Sequence, residues 1–248
     1  MNEKRIAITD YNDTDYEQGF WSSRTYEDLL EKGHVASLLP LSFDRIIDVG
    51  GGFGRLAPVY TPRTLDQAIL FDYSDELLNS AKKVYANLAT LKMVQGSFYN
   101  LPFSAGEFDV ALSVRVIHHV EDVPCYLSEI SRVLKKDGLF VLEFANKQNL
   151  LEIFRWIFGR SRTNPFEKQP QNRSDKGLTL NFHPSYIREQ VHLAGFEIEE
   201  QRASSLLRLP ILKKIIGQQK LFQLEKTLPS FLKHHSLSPS IFLKLRKS

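Results

Sequence analysis

A short apolar run at residues 45–50 feeds directly into glycines at positions 50, 51, 52 and 54. An apolar run stopped by glycine suits a buried parallel strand that turns tightly into a helix. The chain repeats that unit. Apolar runs at 68–73, 91–97, 108–114 and 138–145 read as strands, and the stretches at 74–88 and 121–138 read as helices. Ser74 is the expected N-cap of the first of these, with Asp75 and Glu76 in its first turn. Gly138 is the expected end of the second. Strands alternating with helices predict an α/β fold: a doubly wound, Rossmann-like, mostly parallel sheet with helices on both faces.

The flanks are less regular. A helix is expected over 22–39, stopped by Pro40, and another over 150–159. Residues 160–177 are polar and read as a mobile loop. A helix then ends at Gly195, a strand follows to 205, and short helices over 206–239 are broken by Pro210, Gly217 and Pro229. Residues 240–247 alternate apolar and polar and fit a final antiparallel strand, the seventh. The expected organisation is one domain. It comprises a helical lid over 1–40, an α/β core over 41–145, a helical and loop insertion with the sixth strand over 146–239 and the final strand over 240–248.

Of the 248 residues, 42% are apolar and 25% charged, and the net charge is +3. This balance suits a soluble globular chain and gives no reason to expect nucleic acid as a partner. The charge is uneven. Residues 203–248 hold nine Lys or Arg against one acid, Glu225, so weak contact with a membrane surface through this basic segment is an expectation. The lone cysteine, Cys125, excludes an internal disulfide and offers no metal cluster. With no secretion-like apolar run at the N-terminus, a cytoplasmic location is expected.

In an open α/β sheet the ligand sits at the carboxyl ends of the strands, and the first strand-to-helix turn belongs to that site. The dinucleotide fingerprint G-x-G-x-x-G needs its third glycine where this chain has Arg55. The triphosphate loop G-x-x-x-x-G-K-[ST] is missing altogether. An NAD(P)-binding oxidoreductase is therefore the disfavoured alternative. What remains is D-x-G-x-G-x-G, from Asp48 to Gly54.

That stretch, DVGGGFG, resembles the first motif of the class I S-adenosylmethionine-dependent methyltransferases. LFDYSDELL at 70–78 resembles their second motif, and the segment at 95–122 their third and fourth. SRVLKKDGLFVLEF at 131–144 is similar to the stretch that ends their fifth strand. The likeness extends over roughly 45–145 and is closest to the methyltransferase type 11, quinone-biosynthesis-like subgroup. It implies S-adenosylmethionine as cofactor, S-adenosylhomocysteine as product and a methyl acceptor of small size, apolar or anionic. Whether O, N or C is methylated is open. A chain that binds the cofactor without catalysis is a second reading.

The resemblance also implies site residues. Gly50, Gly51, Gly52 and Gly54 would let the backbone approach the cofactor, and Asp48 would orient that loop. Asp72 would accept from the ribose hydroxyls. Tyr73 and Phe98 would lie against adenine or else pack in the core. Ser97 stands where the family often has an acid. Val114 and Arg115 would lie near the methionine part, and Tyr16 or Arg24 would meet its carboxylate from the lid. His119 and His183 are the weak candidates for a general base. Methyl transfer is a displacement on an activated carbon, so no catalytic triad is required.

Overall fold

The computed structural model describes residues 21, 23–173, 177–229 and 237–248. Seven strands form the main sheet. They are β1 (Phe43–Val49), β2 (Thr64–Asp72), β3 (Leu91–Gln95), β4 (Phe108–Ser113), β5 (Leu134–Ala145), β8 (Phe196–Ser204) and β9 (Ser240–Lys247). Their order is β3-β2-β1-β4-β5-β9-β8. The first five pair in parallel, and β9 runs antiparallel between β5 and β8. This is the expected doubly wound sheet, with its order reversing between β1 and β4.

The alternation of strand side chains shows how both faces are covered. Ile46, Leu70 and Leu112 join one apolar cluster with Val35 and Leu38 of α1 (Thr25–Leu38), Ala57 and Tyr60 of α2 (Ala57–Tyr60), and Leu78 of α3 (Asp75–Val84). Ile47, Ile69 and Ala111, one residue along each strand, join another with α4 (Val123–Val133) and α6 (Pro184–Leu193). Each fully buried Ile, Leu or Phe in these layers contributes roughly 1.5–3 kcal/mol. The caps behave as their residue types demand. Ser74 accepts from Leu77 N–H at the start of α3, and Asp122 from Cys125 N–H at the start of α4.

Three boundaries differ from the sequence expectation. α4 ends at Val133, not at Gly138, because Leu134 already pairs with Phe108 as a strand residue. Asp137 takes φ 59° and Gly138 follows, so the intervening residues form a bulge and Leu139 resumes the pairing at Val110. Second, Pro210 begins a helix, α7 (Pro210–Ile216), where its missing N–H costs nothing. Gly217, at φ 84°, separates α7 from α8 (Gln218–Thr227). Third, the polar stretch after α5 (Leu150–Ile157) is partly ordered. Its β6 (Gln171–Asn172) pairs with β7 (Leu180–Asn181) in a two-stranded ribbon.

α1 lies against α8 through Tyr26, Leu30 and Leu221, and the Tyr26 hydroxyl donates to Glu225. The segment after β8 is thereby tied to the segment before β1. No helix among the described residues is long and apolar enough to cross a membrane.

Candidate functional site

The reversal of strand order opens beside the β1 loop, and the loop is pinned to the end of β2. Gly50 and Gly51 N–H donate to the Phe71 carbonyl at 2.7 and 3.1 Å. Gly52 N–H donates to Asp72 Oδ2 at 2.8 Å, and Ser74 N–H donates to Asp72 Oδ1 at 2.9 Å. The backbone thereby fixes the direction of both carboxylate oxygens, with Tyr73 N–H as a further donor nearby. Burial raises the Asp72 pKa, and these backbone donors oppose the rise.

Only one of the four loop glycines faces open space. A Cβ on Gly50 would stand 2.3 Å from Val116 Cγ2, one on Gly51 2.3 Å from Leu70 Cδ1, and one on Gly54 2.7 Å from Tyr85 Cε2. Those three exist for close packing. Gly52, at φ 55°, would place a Cβ no nearer than 3.5 Å to Leu77 Cδ1 and 3.9 Å to Asp72 Oδ2.

Asp48 lies under the loop, 2% exposed. Its Oδ2 has no hydrogen-bond partner of good geometry among the described residues, although the Tyr60 hydroxyl is near enough to favour the charged form. Burial pushes the Asp48 pKa up to about 7 against Tyr60 and Arg55, with Asp72 adding to the rise. Since the folded pKa lies above the usual 3.8, the contribution of this carboxyl to stability falls as pH rises between those values. A cation bound here would reverse that loss.

The N-terminal flank closes on the loop through ions. Glu31, 2% exposed on α1, receives Arg55 at 2.5 Å and Arg115 at 3.1 Å, and Arg55 also reaches Asp28 at 2.8 Å. The Arg55 guanidinium lies 3.8 Å from the Trp21 ring centroid, and that of Arg115 lies 5.4 Å from it. Trp21, Asp48, Gly52, Val114 and Arg115 are among the residues that enclose a space of about 50 Å³ beside the loop. Arg115 has φ 64°, and its N–H donates to buried Glu143, a contact that holds its backbone in this uncommon conformation.

Arg115 also borders a second, larger cleft of about 750 Å³, walled by α1, α5, α7 and the β6–β7 ribbon. Arg24, His118, His119, Arg173 and Arg208 line it. His119 Nδ1 is 2.9 Å from the Leu178 carbonyl. A carbonyl only accepts, so Nδ1 carries the proton and Nε2 the lone pair. Burial lowers the His119 pKa, the Leu178 contact opposes that, and Arg115 adds to the lowering. The net lowering favours the neutral imidazole.

The structure brings together most of the residues singled out from the sequence. Asp48, Gly50, Gly51, Gly52, Gly54, Asp72, Val114 and Arg115 surround the loop. Arg24 and His119 border the larger cleft. Tyr16 lies outside the described residues. Tyr73 is 46% exposed beside Asp72, and its carbonyl accepts from the Gln95 amide. Ser97 Oγ accepts from Tyr99 N–H. Phe98 is 6% exposed and meets Tyr99 and Tyr126 edge-on, so it packs in the core. His183 is the N-cap of α6, where Nδ1 accepts from Ser185 N–H, and it does not border the larger cleft. Its place before Pro184 already signalled a cap. Sequence reasoning missed Glu31, Arg173 and Arg208. Glu31 lies on the helix expected over 22–39, where spacing does not set one acid apart from another, and Arg208 is one of nine cations in the basic segment at 203–248.

Residues 47–142 match the family model described as a methyltransferase domain. The chain is 32% identical over 117 residues to the ubiquinone/menaquinone biosynthesis C-methyltransferase of Dinoroseobacter shibae, covering 45% of this chain and 47% of that one. It is 31% identical over 119 residues to the mitochondrial arginine-hydroxylase NDUFAF5 of Danio rerio, covering 48% and 35%. The matched region thus spans less than half the length of either relative. A solved structure from Thermotoga maritima, described as an S-adenosylmethionine-dependent methyltransferase and possible histamine N-methyltransferase, superposes with a TM-score of 0.62. It covers 92% of this chain and 93% of that chain at 19% identity, a likeness of fold.

Proposed function

We propose that the class I S-adenosylmethionine-dependent methyltransferase domain carried by residues 47–142 works here as an enzyme that methylates a small-molecule acceptor. The observation that carries this reading is Asp72. Its two oxygens are fixed by Gly52 and Ser74 N–H at the end of β2, beside the glycine loop. Such a carboxylate suits a pair of ribose hydroxyls. Three further features fit the same cofactor. Gly52 leaves room where any side chain would intrude. The buried Asp48 carboxyl has an oxygen without a partner of good geometry, which suits a cationic amino group. The loop bears neither a lysine nor the third fingerprint glycine that phosphate ligands call for.

Bound S-adenosylmethionine supplies a methyl group already activated by its sulfonium. The residues of this chain bind, orient and exclude water. Asp72 holds the ribose, and the loop backbone at Gly50–Gly52 lies along the methionine part. Asp48 attracts the amino group once it is ionised. Trp21, Arg55 and Glu31 act as a lid that keeps water from the reacting centre. His119 Nε2 faces an acceptor as a neutral base if the acceptor brings a proton, and no base is needed if it arrives ionised.

The test uses donor with an isotopically labelled methyl group and a cell metabolite extract, read by mass spectrometry. The expected product is an acceptor that gains the labelled methyl, with S-adenosylhomocysteine formed in equal amount. An acceptor that gains an oxygen atom and no label would favour the activity named for the arginine-hydroxylase relative, and would overturn this reading.

A further inference from the structure

The larger cleft gathers several arginines. Arg24, Arg115, Arg173 and Arg208 all border it. Among the described residues, no carboxylate lies within ion-pair distance of Arg208 or Arg173. The carboxylates of the same walls are engaged elsewhere. Glu27 is held by Lys213, Glu31 by Arg55 and Arg115, and Glu143 accepts from Arg115 N–H and from the Ser240 hydroxyl. Burial, and then the neighbouring Arg173 and Arg115, push the Arg208 pKa down to about 10, with Arg24 adding to this and Glu27 offsetting part of it. Neighbouring guanidiniums repel one another, and a partly buried charge without a counter-ion is costly. An anion with two or more acceptor oxygens relieves both costs at once, because planar guanidinium matches carboxylate and phosphate geometry.

The two helices that flank the cleft also carry exposed apolar residues. Leu151 and Arg155 of α5 border the cleft, while Leu150, Phe154 and Ile157 of that helix, and Phe158 at its C-terminal end, are 50–70% exposed. On α7, Pro210 and Lys213 border it, and Ile211 and Ile215 beside them are 58% and 73% exposed. A cationic cleft flanked by helices with exposed apolar residues fits a molecule with an acidic head and an apolar body.

We infer that the methyl acceptor is an amphiphilic acid whose carboxylate or phosphate head is held by Arg208 and Arg173, with its apolar part along α5 and α7. This rests on the methyltransferase reading above. Arg115 borders both the loop and this cleft, so the cleft adjoins the donor site.

The experiment is calorimetric titration of the full chain with octanoate, octyl phosphate, acetate and inorganic phosphate, with and without saturating S-adenosylhomocysteine. Octanoate or octyl phosphate should bind saturably in the presence of S-adenosylhomocysteine, and which of the two binds more tightly identifies the head group. Acetate and inorganic phosphate should bind at least tenfold more weakly. Arg208→Gln and, independently, Arg173→Gln should each weaken the amphiphile roughly tenfold or more, with S-adenosylhomocysteine binding unchanged. Arg173 is exposed, so its variant tests the idea even if Arg208→Gln fails to fold. The inference is overturned if neither amphiphile binds, if the short anions bind as tightly, or if both variants bind like the unaltered chain. It is also overturned if S-adenosylhomocysteine displaces the amphiphile, because the arginines would then serve the donor's own carboxylate. Failure of S-adenosylhomocysteine to bind contradicts the methyltransferase reading instead.

Discussion

Asp72→Ala weakens S-adenosylhomocysteine binding by roughly 100-fold or more, measured by calorimetric titration. Two charge-assisted bonds to ribose are lost, each worth about 1.5–3 kcal/mol, and about 1.4 kcal/mol is tenfold in affinity. A second effect adds to the first. Gly52 and Ser74 N–H lose their acceptor, so the loop is no longer held in its binding shape. Asp72→Asn separates the two contributions. It keeps one acceptor oxygen for the backbone and removes the charge, so its loss should be intermediate. An unchanged affinity in Asp72→Ala would contradict the role assigned to this carboxylate.

The second large effect is a contrast between neighbours. Gly52→Val should abolish measurable donor binding while lowering stability by only about 1–3 kcal/mol, the cost of a non-glycine residue at positive φ. Its Cβ meets no heavy atom closer than 3.5 Å, so the chain itself has room for it. Gly50→Val should instead destabilise the fold. Its Cβ would lie 2.3 Å from Val116 Cγ2 at φ 76°, so overpacking and backbone strain add, to roughly 3 kcal/mol or more. Thermal melts with and without S-adenosylhomocysteine separate the two variants. If Gly52→Val still bound the donor, or if Gly50→Val melted like the unaltered chain, the division of the loop into packing and binding glycines would be wrong.

The sheet was legible because its signal is local. Ile46 and Ile47, or Leu70 and Phe71, are apolar in succession, and a short run of this kind stopped by glycine or a turn suits a strand buried on both faces. Asp72 was legible because its place at a strand end follows from the spacing of the motifs. The α4–β5 junction was not, since Leu134 is as apolar as a helix residue and only its pairing with Phe108 makes it a strand residue. The cleft was least visible of all. Arg173 and Arg208 are far apart in the chain and meet because the β6–β7 ribbon and the approach to α7 flank one space. In the sequence, Arg208 is one more cation in a basic segment. Its withdrawal from water is a property of the fold.

The most direct test of the central claim is a titration of the unaltered chain with S-adenosylhomocysteine and, separately, with NAD, at several pH values. S-adenosylhomocysteine should bind and NAD should not. Affinity should rise as pH passes upward through about 7, where Asp48 ionises and can attract the amino group. Asp48→Asn should flatten that rise. Saturable binding of NAD with none of S-adenosylhomocysteine would contradict the account.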